Sequence, residues 1–176
     1  VNTVLWAINN LRDTFHSHAR VGLLEVMGRN CGDIALYAGI AGGAEYILVP
    51  EVEYDLDKIA SSIKKSYLRG KTSNMIVLAE GAGNRDEIAE YVAKKSGIGV
   101  KVTNFGHIQR GGSPNMADRV LAARFGYKAV ELLKAKADSC AIGIRNNKVI
   151  TVPFSDVNKG ERKFDAELYN IAHVLG

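Results

Sequence analysis

The stretch Val100-Lys101-Val102-Thr103-Asn104-Phe105 runs directly into Gly106-His107-Ile108-Gln109-Arg110-Gly111-Gly112-Ser113-Pro114. The first six residues alternate as a strand does, and a helix-period segment follows from about Asn115 to Lys136. The glycine-rich stretch therefore lies where a strand hands over to a helix, the junction at which open α/β sheets bind ligands. Glycines allow sharp bends and close approach to main-chain N–H groups, and Arg110 offers a planar fork of donors suited to phosphate. His107 adds a hydrogen bond, or a charge when an anion sits beside it. A plain reading as a glycine-rich turn with a surface arginine competes with an anion pocket.

The same punctuation recurs at Glu25-Val26-Met27-Gly28-Arg29-Asn30-Cys31-Gly32-Asp33, where Gly-Arg follows an apolar run from Val21 to Met27. Further strand-length runs at Tyr46–Val49 and Met75–Ala79 alternate with helix-period stretches at about 32–43, 56–68 and 85–95. Alternating strands and helices predict an α/β fold, a parallel sheet with helices on both faces in a Rossmann-like three-layer sandwich. Val1–Phe15 reads as an amphipathic helix, with Val4, Leu5, Ile8, Leu11 and Phe15 on one stripe. Asp55-Leu56-Asp57 marks a helix start and Arg69-Gly70-Lys71 its end. Beyond Pro114 the long helix leads to strands at Ala141–Arg145 and Lys148–Val152 across an Asn146-Asn147 turn, a polar loop over Ser155–Lys163, and a short helix at Ala166–Val174.

Composition narrows the function classes. The 176 residues are 47% hydrophobic and 24% charged, an ordinary globular balance with room for one good core. No apolar run reaches membrane-spanning length and Val1–Arg20 lacks a signal-peptide pattern, so the expected location is cytoplasmic. Cys31 and Cys140 stand too far apart for a zinc spacing or a disulfide framework. The net charge of +4 is spread along the chain without aromatic interleaving, which favours small phosphorylated ligands over nucleic acid. A metal site at His16-x-His18 lacks a third ligand nearby in sequence, and His16, His18 and His173 read as surface or helix-packing residues.

Together the motifs EVMGRNCGD and GHIQRGGSP, with LVPEVE and VLAEG in order between them, closely resemble the 6-phosphofructokinase family, most of all its bacterial ATP-dependent members. The match runs along nearly the whole chain. It implies phosphoryl transfer from Mg-ATP to fructose 6-phosphate, giving fructose 1,6-bisphosphate in glycolysis. By resemblance, His107, Ile108, Gln109 and Arg110 hold fructose 6-phosphate, Met27 and Gly28 line the sugar, Glu80 meets sugar hydroxyls, and Arg29 is catalytic, stabilising charge near the transferring group. Arg20 and Lys101 match a pair that reaches the sugar phosphate from a neighbouring subunit of a homotetramer. Lys101 stands where the family usually has arginine, which keeps the charge but loses the bidentate fork. Arg12, Gly43, Ala44, Glu45, Arg69, Lys71, Thr72 and Ser73 match an effector site for ADP or phosphoenolpyruvate, with Ser73 replacing a residue that is often basic.

The family's Gly-Gly-Asp-Gly-Ser nucleotide loop and Thr-Ile-Asp-Asn-Asp segment, whose aspartate is the general base, do not occur in these 176 residues. The resemblance therefore implies the C-terminal, sugar-phosphate half of the enzyme, inactive alone, with Mg2+ bound mainly by the other half. The implied division is 1–107 as the fructose 6-phosphate-binding domain, 108–152 as a segment returning to the nucleotide-binding domain, and 153–176 as a tail packing on the first domain. Exposure of the middle segment predicts oligomerisation or poor solubility. Two alternatives stand beside this reading: a pyrophosphate-dependent enzyme, and a non-catalytic module that binds a sugar phosphate or ADP.

Overall fold

A computed structural model describes residues 1–159 and 162–175. The elements are α1 (Asn2–Ser17), β1 (Val21–Val26), α2 (Asp33–Ala41), β2 (Tyr46–Leu48), α3 (Leu56–Leu68), β3 (Asn74–Ala79), α4 (Arg85–Ser96), β4 (Val100–Asn104), a 3-10 turn (Gly106–Arg110), α5 (Met116–Lys134), β5 (Cys140–Arg145), β6 (Lys148–Pro153), α6 (Phe154–Val157) and α7 (Ala166–Leu175). They fall into two compact units, residues 1–112 with 164–176, and residues 113–163.

In the larger unit four parallel strands lie in the order β2-β3-β1-β4. Both faces are covered, and apart from Glu25 of β1 and Asn74 of β3 the two central strands consist of apolar residues and one glycine. Leu24 and Val26 of β1, with Met75, Val77 and Ala79 of β3, join Val4, Ile8 and Phe15 of α1, Ala35, Leu36 and Ala38 of α2, and Tyr169 and Ala172 of α7 in one core. The alternate residues Val21, Leu23, Ile76 and Leu78 turn the other way, onto Ile59 and Ile63 of α3 and Ile88, Ala89 and Val92 of α4. The period of two along each strand thus feeds both layers. Gly22 has a packing reason: a Cβ there would lie 2.2 Å from the Phe15 ring.

The helix boundaries follow local chemistry. Asp55 and Asn84 accept backbone N–H bonds at the starts of α3 and α4, from Asp57 and Lys58 and from Asp86 and Glu87 respectively. Gly97 ends α4 in the left-handed conformation at φ 76°. The α/β sheet and its two helix layers match the expected fold class, with element ends shifted by a few residues.

The smaller unit pairs α5 with an antiparallel β5–β6 hairpin. Asn115 and Asp118 close a capping box at the start of α5. Asn146 and Asn147 turn the hairpin at φ 50° and 59°, and the Arg124 guanidinium donates to the Asn147 carbonyl at 2.7 Å. None of the described residues of this unit is fully buried; Met116, Val120, Tyr127, Val130 and Leu133 of α5 are all exposed. One expectation is corrected. The polar stretch from Ser155 contains a helical turn, α6, led in by Pro153 at φ −55°. The stretch after Phe105, expected only as a glycine-rich junction, is a 3-10 turn closed by N–H bonds from Ile108 to the Phe105 carbonyl and from Gly111 to the Ile108 carbonyl. Gly160 and Glu161 of the expected Ser155–Lys163 loop lie outside the described residues.

Candidate functional site

Three strand ends converge at the carboxyl edge of the larger unit's sheet. Because β1 lies between β3 and β4, the segment after Val26 is flanked by the residues after Ala79 and after Asn104. Main-chain bonds extend the pairing past the strands: Glu80 N–H donates to the Val26 carbonyl at 2.9 Å and Phe105 N–H to the Glu25 carbonyl at 3.2 Å. Met27, Gly28, Arg29, Glu80 and the Gly106–Arg110 turn are thereby brought together.

The Gly28–Arg29 turn is built around an anion. Its two successive N–H groups both donate to Glu80 Oε1, at 3.1 Å from Gly28 and 2.8 Å from Arg29, making a concavity of the kind that holds carboxylates and phosphates. Gly28 sits at φ 156°, and a Cβ there would lie 2.2 Å from the Cys31 carbonyl oxygen. Arg29 is held left-handed at φ 51°, which costs a non-glycine residue about 1 kcal/mol and is typical of functional turns. Gly81 approaches so closely that a Cβ on it would lie 1.8 Å from the Arg29 carbonyl oxygen.

The Arg29 and Gly28 N–H bonds hold the Glu80 carboxyl below the usual carboxylate range, against a desolvation effect that raises it; the positive charges of Arg29 and Arg110 add to the lowering. Glu80, Arg29 and Arg110 therefore share one electrostatic neighbourhood, with Arg29, Glu80, His107 and Arg110 all exposed. A depressed folded-state pKa means that the stabilisation from Glu80 is complete above its unfolded value and is lost as pH falls through the folded one. The Gly28 and Arg29 amide resonances should therefore hold constant from neutral pH through the ordinary carboxylate range and move only below it. Glu80→Gln should abolish that transition. A transition at or above the ordinary carboxylate range contradicts this account of the turn.

Gln109 differs from its neighbours in the 3-10 turn by pointing inward. Its Oε1 accepts the Met27 N–H at 3.1 Å and its Nε2 donates to the Gly106 carbonyl at 3.0 Å. Asn104 Oδ1 fixes the start of the turn by accepting the Gly106 N–H at 2.7 Å. Beneath the edge, Arg85 at the start of α4 pairs with Glu25 of β1 at 2.5 Å, and the Tyr54 hydroxyl donates to the Ala82 carbonyl at 2.6 Å. Sequence reading missed both supports. Glu51 also escaped it: its carboxylate accepts the Gly32 N–H, at 2.9 Å to Oε1, where α2 begins.

Arg20 and Lys101 do not join this cluster. Arg20 precedes Val21, and Lys101 lies opposite Gly22 at the amino ends of β1 and β4. The six residues of β1 between Arg20 and Met27 span roughly 20 Å at about 3.3 Å per residue.

The expected effector residues gather at the amino edge of the same sheet, near the starts of β2 and β3. The Arg12 guanidinium donates to the Gly42 carbonyl and to the Gly43 carbonyl, the latter at 2.8 Å. Glu45 pairs with Lys71 at 2.9 Å and accepts the Met75 N–H at 2.7 Å. Ala44 is buried, Arg69 caps the end of α3 and is exposed, and Ser73 is half-buried. Thr72 Oγ1 lies 3.3 Å from His16 Nδ1, so His16, left without a role by the sequence, belongs to this group. The signal was available, since His16 is four residues from Arg12 on α1 and shares its face. His18 turns to the Thr14 carbonyl at 2.9 Å instead of forming a pair with His16. Among the described residues no group of three or more His, Cys, Asp or Glu side chains could hold a metal ion.

The fold is that of an α/β protein in which the Gly28–Arg29 turn, Glu80 and the Gly106–Arg110 turn meet at the carboxyl edge of a parallel sheet. The phosphofructokinase family model matches residues 1–133, and the chain belongs to that family. It is 54% identical over 99% of its length to an ATP-dependent 6-phosphofructokinase of Clostridium botulinum, and 52% identical to the protein of the same name in Clostridium tetani. It spans 55% of each of these relatives, about half their length. Among solved structures, phosphofructokinase from Saccharomyces cerevisiae superposes with a TM-score of 0.82 at 30% identity, covering 98% of this chain and 24% of that one. A pyrophosphate-dependent phosphofructokinase from Nitrosospira multiformis shares the fold, with a TM-score of 0.75 at 22% identity over 88% of this chain and 45% of that one.

Proposed function

We propose that this chain supplies the sugar-phosphate half of an ATP-dependent 6-phosphofructokinase. The observation that carries the reading is the grouping of Glu80, the Gly28–Arg29 turn and Arg110 at three adjacent strand ends. Phosphoryl transfer needs alignment and charge neutralisation more than covalent chemistry. Arg110 and His107 bind the phosphate of fructose 6-phosphate, and Met27 and Gly28 lie along the sugar. Glu80, with one oxygen given to the turn, turns the other to sugar hydroxyls. Arg29 counters charge on the transferring group. The base that accepts the hydroxyl proton belongs to a Thr-Ile-Asp-Asn-Asp segment outside these 176 residues. Mg2+ arrives with ATP as part of that substrate and is held mainly by the nucleotide-binding half. The ATP donor is supported by the names of relatives at 54% and 52% identity.

In this reading residues 1–107 form the fructose 6-phosphate-binding domain, 108–152 return to the nucleotide-binding domain and 153–176 are a tail of the first domain, whereas the compact units divide after residue 112 and before residue 164. The exposed apolar residues of α5 support such a covering partner. Arg20 and Lys101, distant from their own chain's cleft, serve the site of a neighbouring copy in a homotetramer. ADP or phosphoenolpyruvate binds at the opposite sheet edge through Arg69 and Lys71, with Arg12 and Glu45 as the structural frame. The enzyme works in the cytoplasm; no helix among the described residues is long and apolar enough to cross a membrane. Calorimetric titration tests the central assignment. Fructose 6-phosphate should bind and fructose should not, whereas equal binding of the two, or binding of neither, sinks it.

A further inference from the structure

Two loops that the proposed function assigns to one ligand come from different strands, and a single side chain ties them together. The Met27 N–H at the end of β1 is accepted by Gln109, whose other amide atom closes the 3-10 turn on the Gly106 carbonyl. In a 3-10 turn residues three apart eclipse, so Gln109 stands directly over Gly106. His107, Ile108 and Arg110 are exposed while Gln109 is half-buried. The position requires an acceptor and a donor at the end of a two-carbon stem. Asparagine is a methylene short, glutamate lacks the donor, and methionine fills the same volume without either hydrogen bond.

We propose that Gln109 is a positioning residue that locks the Met27–Arg29 turn to the Gly106–Arg110 turn, so that the sugar-lining and phosphate-binding groups keep one relative geometry. The link to ligand binding rests on the functional reading above; the lock itself does not. With Gln109 in place the Met27 N–H has its partner and the left-handed Arg29 turn is anchored on both sides, by Glu80 and by Gln109. Without it that N–H must find water and the two turns move independently, which a ligand bridging them has to reverse.

The test is amide hydrogen exchange by NMR on the chain and on Gln109→Met and Gln109→Glu, beside titration with fructose 6-phosphate. Gln109→Met should accelerate exchange at Met27 about tenfold, the scale of one net hydrogen bond, while Leu24 and Val77 in the core exchange as before. Gln109→Glu keeps the acceptor and should restore protection at Met27. Fructose 6-phosphate affinity should fall about tenfold in Gln109→Met. Unchanged exchange at Met27, or acceleration shared equally by Leu24 and Val77, overturns the lock. Failure of the unaltered chain to bind fructose 6-phosphate would instead overturn the functional reading, and the exchange data would still decide the role of Gln109.

Discussion

Arg110→Ala should lower affinity for fructose 6-phosphate by at least about a hundredfold and leave thermal stability unchanged. A guanidinium that meets a phosphate with two charge-assisted hydrogen bonds contributes about 1.5–3 kcal/mol for each, and every 1.4 kcal/mol is a factor of ten. Arg110 is exposed, at the end of the 3-10 turn, and no hydrogen bond or ion pair within the chain depends on its side chain among the described residues, so its removal does not touch the core. Arg110→Lys keeps the charge but not the fork and should fall between the two. Calorimetric titration reads all three. Retained affinity in Arg110→Ala would mean that the phosphate binds elsewhere.

Gly81→Ala should both destabilise the fold and disable the proposed sugar-phosphate site. The added carbon would lie 1.8 Å from the Arg29 carbonyl oxygen and 2.7 Å from its carbon, and both are main-chain atoms with no flexible side chain to swing aside. Either the Glu80–Gly81 segment or the Gly28–Arg29 turn must shift, at a cost of about 3 kcal/mol. For a chain of this size that is a fall in melting temperature on the order of 10 °C. The same shift breaks the two bonds from the turn to Glu80, so binding of fructose 6-phosphate should be lost with it. Gly99→Ala is the control, since nothing lies within 4 Å of the added carbon. If Gly81→Ala melts and binds like Gly99→Ala, the close approach of the two turns is not what shapes the site.

Most of the fold was legible because its causes are local or periodic. The apolar runs at Val21 and Met75 announced the two central strands, and Asp55 and the Gly70 region marked the ends of α3. GHIQRGGSP was correctly placed at a strand end. Its 3-10 form was not, because that depends on carbonyls and amides a few residues apart whose pairing no composition rule fixes. The site's frame was the least legible part. Glu80 reaches Gly28 across 52 residues, Arg85 reaches Glu25 across 60, and Gln109 reaches Met27 across 82. Such pairs exist only once the strand order β2-β3-β1-β4 is set, and one sequence read alone does not reveal that order. Glu80 shows the consequence. The resemblance marks it as a partner of sugar hydroxyls, and only the strand order reveals that one oxygen of its carboxylate is spent holding Gly28 and Arg29.

The most direct test of the central claim is a turnover assay with fructose 6-phosphate and Mg-ATP, run on the chain alone and with a nucleotide-binding half from the 54%-identical Clostridium botulinum relative supplied as a separate polypeptide. Neither piece alone should form fructose 1,6-bisphosphate, and the mixture should, with product abolished by Arg110→Ala in this chain. Turnover by the chain alone, or none from a mixture in which the two pieces demonstrably associate, would contradict the claim.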